Sequence, residues 1–326
     1  MTYQSTAISK DQITLPNLPG WVTSRSAETP QNVAFLSGAA FAMLDMILHQ
    51  SGDSIPKALL ANTLALKAAV ATSKLEGRLS QEADIRDAYH LTPPDKDGVR
   101  HWGPDGDVLD YWRRAGRLRL GDKNWIDIVA AFANCDDRIA EWLEAAMTTS
   151  ILFGPMASAV EIVRNVLEAD DRAERLACLL QDVVIAKSLG WDRLYPLTAL
   201  HLTKTNLRDL RDRAKEGKCE ADTAIQVAIA KSAQSTFQLA NQLTARAETL
   251  RSVAPKLRTR GSEDAVALFL AEDAVAPSGM LSPHIRGTRT PMTGRAARRL
   301  CDRLVELGVV KELTGRPTFR LYGVCP

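Results

Sequence analysis

The sequence predicts a mainly α-helical protein, in which a multi-helix body is followed by a small C-terminal winged helix-turn-helix domain of three helices and a β-hairpin. Apolar residues recur at three- and four-residue steps along most of the chain, as they do on the buried faces of helices. Gly and Pro mark the ends of these segments. Strand-like alternation is confined to the C-terminal end. The predicted units are an irregular N-terminal arm at 1–30, an all-α body at 31–250 and a winged-helix domain at 251–326.

The body is predicted to begin with an almost entirely apolar helix from Val33 to Gln50, which is too short and too interrupted by charge to span a membrane. A second helix covers Pro56–Glu76, with Pro in its first turn and Gly77 at its end. Trp21 is expected to pack the N-terminal arm onto this body. Ser80 is expected to cap the third helix. The remaining body helices are predicted at residues 81–91, 107–118, 124–149 with a break near 136, 156–168, 171–189, 206–216 and 220–252.

The last helix of the chain carries the pattern from which an activity is predicted. Thr293 is suited to cap it, and Gly308 is suited to the left-handed conformation that ends a helix. Two further helices are expected before it, at 262–273 and 278–285. After it, the runs VKEL and TFRLYG flank a Thr-Gly-Arg-Pro turn and predict two short strands around a basic tip. The apolar stripe of the helix is formed by Ala297, Leu300, Cys301, Leu304 and Leu307.

A basic helix followed by a basic hairpin suggests contact with double-stranded DNA. Recognition helices present residues near their N-terminus to base edges in the major groove. Arg295, Arg298 and Arg299 occupy the first two turns, where the helix dipole also favours phosphate. Arginine can make bidentate contacts to guanine. The predicted DNA-contacting residues are Thr293, Arg295, Arg298, Arg299, Arg316, Arg320 and Arg289.

Net charge is distributed unevenly along the chain. Residues 251–326 contain 13 Lys+Arg and 7 Asp+Glu, a net of +6, which leaves 28 basic and 32 acidic residues and a net of −4 before them. This places the basic character where the DNA-binding pattern lies. A two-fold operator would require a homodimer, and the long helix at 220–252 is a plausible dimer surface, although its apolar stripe could equally be intramolecular core.

Two alternatives to DNA binding remain open at this level. The winged helix could be a protein-interaction or effector-binding module, and its charged face merely solvated. The other alternative is an enzyme that uses the polar segment from Glu76 to His90, in which Asp87 and His90 share a helix face. A His–carboxylate pair at that spacing is more often a local surface interaction. The residues of this candidate pocket are Glu82, Asp87, His90 and His101.

The cysteine pattern and the termini bear on compartment and cofactors. The five cysteines are odd in number and widely spaced, with no C-x-x-C pair, which argues against a zinc site or a disulfide framework. The N-terminus has no hydrophobic signal core. We therefore expect a cytoplasmic protein without a membrane span, a metal or a cofactor.

Several segments of the chain resemble an uncharacterised bacterial family, domain of unknown function 1403. They are GAAFAMLDMILH at 38–49, the run LALKAAVATSKLEGRLSQEADIRDAYHLTPP at 64–94, GPDGDVLDYWRR at 103–114, VAPKLRTRGSEDAVALFLAEDAVAPS at 253–278 and the tail from 294 to 323. The resemblance covers nearly the whole chain and implies no activity, because none is assigned to the family.

The tail LVELGVVKELTGRPTFRLYG, at 304–323, also resembles the C-terminal winged helix of Fic-type proteins, and ATSKLEG at 71–77 faintly resembles their inhibitory or recognition helix. The catalytic run of that family, a His followed by a Gly-Asn-Gly-Arg segment, follows none of the five histidines, which are His49, His90, His101, His201 and His284. The resemblance therefore implies a DNA-binding tail without nucleotidyl transfer.

Overall fold

A computed structural model of the protein describes residues 17–23, 28–49, 54–134, 137–212, 218–257 and 260–324. Helices dominate these ranges, which confirms the mainly α class. Most of the predicted N-terminal arm lies outside the described residues. The helices of the arm and body are α1 (Gly20–Thr23), α2 (Pro30–His49), α3 (Lys57–Leu75), α4 (Glu82–Leu91), α5 (Gly103–Ala115), α6 (Trp125–Phe132), α7 (Asp137–Phe153), α8 (Pro155–Ala169), α9 (Glu174–Ser188), α10 (Lys204–Asp212) and α11 (Lys218–Val253), with a 3₁₀ turn at Thr198–His201.

The long helix α11 is the centre of the body. It packs along α2 and also contacts α3, α8, α10 and the 3₁₀ turn. Ile225, Phe237 and Leu243 on this helix are almost completely buried. The apolar stripe that was a candidate dimer surface is therefore intramolecular core.

The apolar helix α2 packs on α11 with a face that includes Val33, Phe41 and Leu44. By length and hydropathy it is the one helix among the described residues that could cross a membrane. Phe35 on its outer side is 65% exposed and stacks on Trp21, with ring centroids 5.2 Å apart. Trp21 thus contacts the body as expected, but the neighbouring Val22 is the buried residue of that segment.

Several helix boundaries differ from the expected ones. The N-cap of α4 is Gln81, whose backbone N–H donates to the Asp84 carboxylate (3.0 Å), because the Ser80 hydroxyl donates instead to Asp105 (2.6 Å) at the start of α5. Helix α5 begins at Gly103 rather than at residue 107. The predicted helix at 124–149 is divided into α6 and α7 as its sequence break indicated, and residues 213–216 of the predicted 206–216 helix lie outside the described part.

The C-terminal part contains α12 (Ser262–Phe269), α13 (Gly294–Glu306) and the strands β1 (Lys311–Glu312) and β2 (Tyr322–Gly323). The strands pair antiparallel, with Lys311 opposite Gly323 and Glu312 opposite Tyr322. The expected helix at 278–285 is wrong. Residues 270–293 form turns and isolated bridges, because Pro277, Gly279 with φ of +82°, and Pro283 interrupt any helical run. Residues 262–306 therefore supply two α-helices and not the three expected of a winged helix-turn-helix.

Candidate nucleic-acid interface

Helix α13 presents one buried and one charged face. Ala297, Leu300, Cys301 and Leu304 are buried, and Leu307 is half-buried, as the stripe predicted. The backbone N–H of Ala296 donates to the Thr293 hydroxyl (3.3 Å), and Gly308 has a φ of +69°. The predicted N-cap and C-terminal stop of α13 are therefore confirmed.

Capping gives Thr293 a structural role that stability measurements can test. We expect Thr293→Ala to lower the free energy of unfolding by about 1 kcal/mol, because one orphan N–H of α13 loses its acceptor. Urea unfolding followed by circular dichroism measures this change. Thr293→Ser is the control, since it keeps the hydroxyl. Equal stability of the Ala variant and the wild type would contradict the capping role.

The charged face of α13 is strongly basic in its first two turns. Arg295, Arg298 and Arg299 are exposed, and within the described residues none of them forms an ion pair. Arg298 Nε donates to the carbonyl of Gly294, one turn back on the same helix (3.1 Å). In the last turns Arg303 pairs with Glu306 (2.9 Å), so the positive charge there is balanced. The uncompensated charge therefore lies at the helix N-terminus, where the dipole also favours an anion.

The turn of the hairpin that follows α13 is held by hydrogen bonds to a carboxylate. The Glu312 carboxylate accepts hydrogen bonds from the backbone N–H groups of Thr314 (2.8 Å) and Gly315 (2.9 Å) and so shapes the turn. Burial by itself would raise the pKa of Glu312, but these hydrogen bonds hold it below its usual value. Arg320 is exposed, and its Nε donates to the carbonyl of Arg316 (3.0 Å).

Arg316, at the hairpin tip, is directed toward the helical body. Its Nη2 lies 3.3 Å from Oδ2 of Asp87 on α4. Arg86, next to Asp87, donates to both Asp87 Oδ1 and the carbonyl of Leu313 (3.0 Å each). Arg289 is exposed in the irregular segment. The seven predicted DNA-contacting residues are thus all at the surface, but Arg316 is also a contact between the hairpin and the body.

The polar residues of the candidate pocket each have their own surroundings. Asp87 belongs to the contact with the hairpin. His90 is buried, with Nε2 lying 3.3 Å from Oδ2 of Asp273. Glu82 is exposed at the first position of α4, and His101 is exposed and pairs with Asp95 in its own loop (3.0 Å). Within the described residues no hydrogen bond or ion pair joins any two of the four, and a pocket lined by this set stays a prediction.

A buried ionic network joins the body to the C-terminal part, and sequence reasoning missed it. The Arg113 side chain, on α5, is 2% exposed and pairs with Asp273 and with Glu272 (2.6 Å to Glu272). Burial by itself would raise the pKa of Asp273, but Arg113 and His90 hold the pKa of that carboxyl well below its usual range. The guanidinium of Arg113 also lies 4.8 Å from the centre of the Tyr89 ring. The available signal was the acidic pair Glu272–Asp273 within an otherwise apolar run.

The structure also bears on metal and cysteine chemistry. Among the described residues, no group of three or more His, Cys, Asp or Glu side chains is arranged to hold a metal ion. Cys178 and Cys301 are free and buried. Burial raises the pKa of Cys301 to about 12 and also raises that of Cys178, so both thiols stay protonated near neutral pH.

Comparison with known proteins adds a family but no activity. No curated protein matches the sequence. The family described as "protein of unknown function (DUF1403)" matches residues 6–324, almost the whole chain. The chain therefore belongs to the DUF1403 family.

Proposed function

We propose that the protein binds double-stranded DNA through the N-terminal turns of α13 and acts as a transcriptional regulator. The observation that carries this proposal is the set of three exposed arginines, Arg295, Arg298 and Arg299, without ion-pair partners among the described residues. Residues 251–326 as a whole have a net charge of +6, as an electrostatic contact with phosphate requires.

The C-terminal part would act as a reduced winged helix, in which α13 takes the place of the recognition helix and the β1–β2 hairpin that of the wing. The Thr293 cap of α13 and its four buried apolar residues support this assignment, because they fix the helix so that its arginine-bearing face is outward. The irregular segment 270–293 would replace the helix that precedes a recognition helix. Arg289 in that segment and Arg320 in the hairpin would contact the phosphate backbone.

The proposal includes a homodimer, because an operator with two-fold symmetry needs two copies of α13. The apolar stripe of α11, which was a candidate dimer surface, packs against other helices of the body. Sedimentation velocity of the full chain, with and without DNA, measures whether two copies assemble.

A mobility-shift titration at two salt concentrations tests DNA binding. We expect Arg298→Ala/Arg299→Ala to weaken binding by about 1–3 kcal/mol for each bidentate base contact that is lost, and to reduce the dependence on salt. The matched control is Arg117→Ala/Arg119→Ala, which removes two exposed positive charges from the body. Binding by wild type that the control retains and the α13 variant loses would support the proposal. No binding at low salt, or equal loss in both variants, would refute it.

A protein-interaction module is the second candidate, and two observations favour it. Phe319, in the hairpin, is 75% exposed with a φ of +55°. Arg316, at the tip of the same hairpin, contacts Asp87 of the body. An exposed aromatic ring beside a docked hairpin suits a protein partner better than a phosphate backbone. Absence of salt-dependent DNA binding would favour this candidate.

We do not propose catalysis at the Glu76–His90 segment. Asp87 and His90 each have ion-pair partners in the C-terminal part, and Glu76 accepts a bidentate contact from Arg175 (2.7 and 2.6 Å). These contacts explain the polar residues by packing between elements.

A further inference from the structure

We propose that the helical body binds a small organic carboxylate with an apolar tail, in a groove between α3, α11 and the Thr198–His201 turn. The groove has a volume of about 450 Å³, which lies within the range of small-molecule sites. All of its lining residues belong to the body, so this site is separate from the DNA contact proposed on α13. The residues that would contact the ligand include Lys67, Val70, Ala71 and Lys74 on α3.

The floor of the groove is apolar. Leu64 on α3, Leu202 after the 3₁₀ turn and Leu239 on α11 are buried and line it. Val70 and Ala71 on α3 are half-buried and extend the same surface. A linear alkyl chain that lies over Val70 and Ala71 would remove its own apolar area and their remaining exposed area from water.

Two lysines supply the charge that selects an anion. Lys67 and Lys74 are seven residues apart on α3, which places them on the same side of the helix about 10 Å apart along its axis. Within the described residues neither amine forms an ion pair. Glu82 is the one carboxylate among the lining residues, and it pairs with neither lysine. The groove therefore offers two unneutralised cations beside an apolar floor.

Polar side chains at the edge of the groove can donate hydrogen bonds to a ligand with oxygen acceptors. The amides of Gln238 and Gln242 on α11 line the groove, and both residues are exposed. His201 Nε2 lies 3.1 Å from the Ser235 hydroxyl at the groove edge. Burial and nearby Lys231 lower the pKa of His201, so this ring is neutral near pH 7.

Isothermal titration of the full chain with sodium octanoate tests the proposal, with 1-octanol as the neutral probe of the same length. We expect saturable one-site binding of octanoate and binding of octanol that is at least about tenfold weaker. Lys67→Gln/Lys74→Gln should weaken octanoate binding at least about tenfold, because both cations are lost. The matched control is Lys96→Gln/Lys123→Gln, which removes two exposed lysines outside the groove.

A second variant tests the groove itself. Ala71→Phe places a ring over the apolar floor and should abolish octanoate binding in a protein whose circular dichroism and melting temperature match those of the wild type. The proposal would be overturned by no saturable octanoate binding below its micellar concentration, by equal affinity for octanol, or by equal weakening in both lysine pairs. These outcomes are independent of the mobility-shift result, since no DNA is present.

Discussion

Arg113→Met is expected to lower the free energy of unfolding by about 3–5 kcal/mol, because it leaves a buried carboxylate without its cation. The Asp273 side chain is 3% exposed, and without Arg113 its remaining ionic partner among the described residues would be His90. The substitution keeps the length and the apolar stem of the side chain, so lost packing contributes little. Urea unfolding at pH 7 measures the change.

A neighbouring arginine on the same helix provides the control. Arg114 is 61% exposed and lies 3.7 Å from Asp110, so Arg114→Met should cost at most about 1 kcal/mol. The double variant Arg113→Met/Asp273→Leu should recover most of the loss, since a buried ion pair can be replaced by apolar side chains at little cost. If Arg113→Met were no more destabilising than Arg114→Met, the network would not hold the C-terminal part on the body.

The same network makes a prediction about acid. The folded-state pKa of Asp273 lies below its unfolded value of 3.8, so the stability that this group contributes is present above that value and is lost as the pH falls through the folded pKa. The deficit of Arg113→Met relative to wild type should therefore shrink below about pH 4. A deficit that is independent of pH would indicate lost packing instead of a lost ion pair.

Asp182→Asn is expected to remove a large pH dependence of stability. Asp182, on α9, is buried and accepts hydrogen bonds from the backbone N–H groups of Leu197 (3.1 Å) and Thr198 (2.9 Å), while its second oxygen has no partner. Burial raises the pKa of Asp182 to about 7, against the lowering effect of these hydrogen bonds. A folded pKa above the unfolded one means that the folded state binds the proton more tightly.

The stabilising contribution of protonated Asp182 is therefore complete below about pH 4 and is lost as the pH rises to about 7. A shift of this size corresponds to about 4 kcal/mol. As the pH rises from 4 to 8, the free energy of unfolding of Asp182→Asn should increase by several kcal/mol relative to that of the wild type. Denaturant unfolding measures this difference. Asp122→Asn, at an exposed position, is the control and should show no such gain. A constant difference between Asp182→Asn and wild type would contradict the raised pKa.

Hydrogen bonds between the body and the C-terminal part offer a route for regulation under the proposed function. Asn62 on α3 donates to the carbonyl of Ala271 (2.7 Å), and Arg86 on α4 to that of Leu313 (3.0 Å). The proposed ligand groove uses the same helix α3. A ligand that moves α3 would thus act on an element that contacts the part for which we propose DNA binding.

Periodicity and breaker residues were sufficient to predict most helices, because these signals are local. The capped, striped helix α13 was predicted in detail from Thr293, Gly308 and the spacing of its leucines. The error at 278–285 came from reading a short apolar segment as helical despite Pro277 and Pro283, which favour turns. The N-cap at Ser80 was wrong because its hydroxyl has a partner in α5, 25 residues away.

The sequence by itself determined the helical class, the family, the uneven charge and the arginine-bearing face of α13, since each depends on residues close together in the chain. Only the tertiary structure decided that His90 and Arg113 meet Asp273, across separations of 183 and 160 residues. It also decided that Asp87 contacts the hairpin and that α11 is buried within its own chain. These outcomes depend on which helices pack together, and helical periodicity shows that a face is buried without showing what buries it.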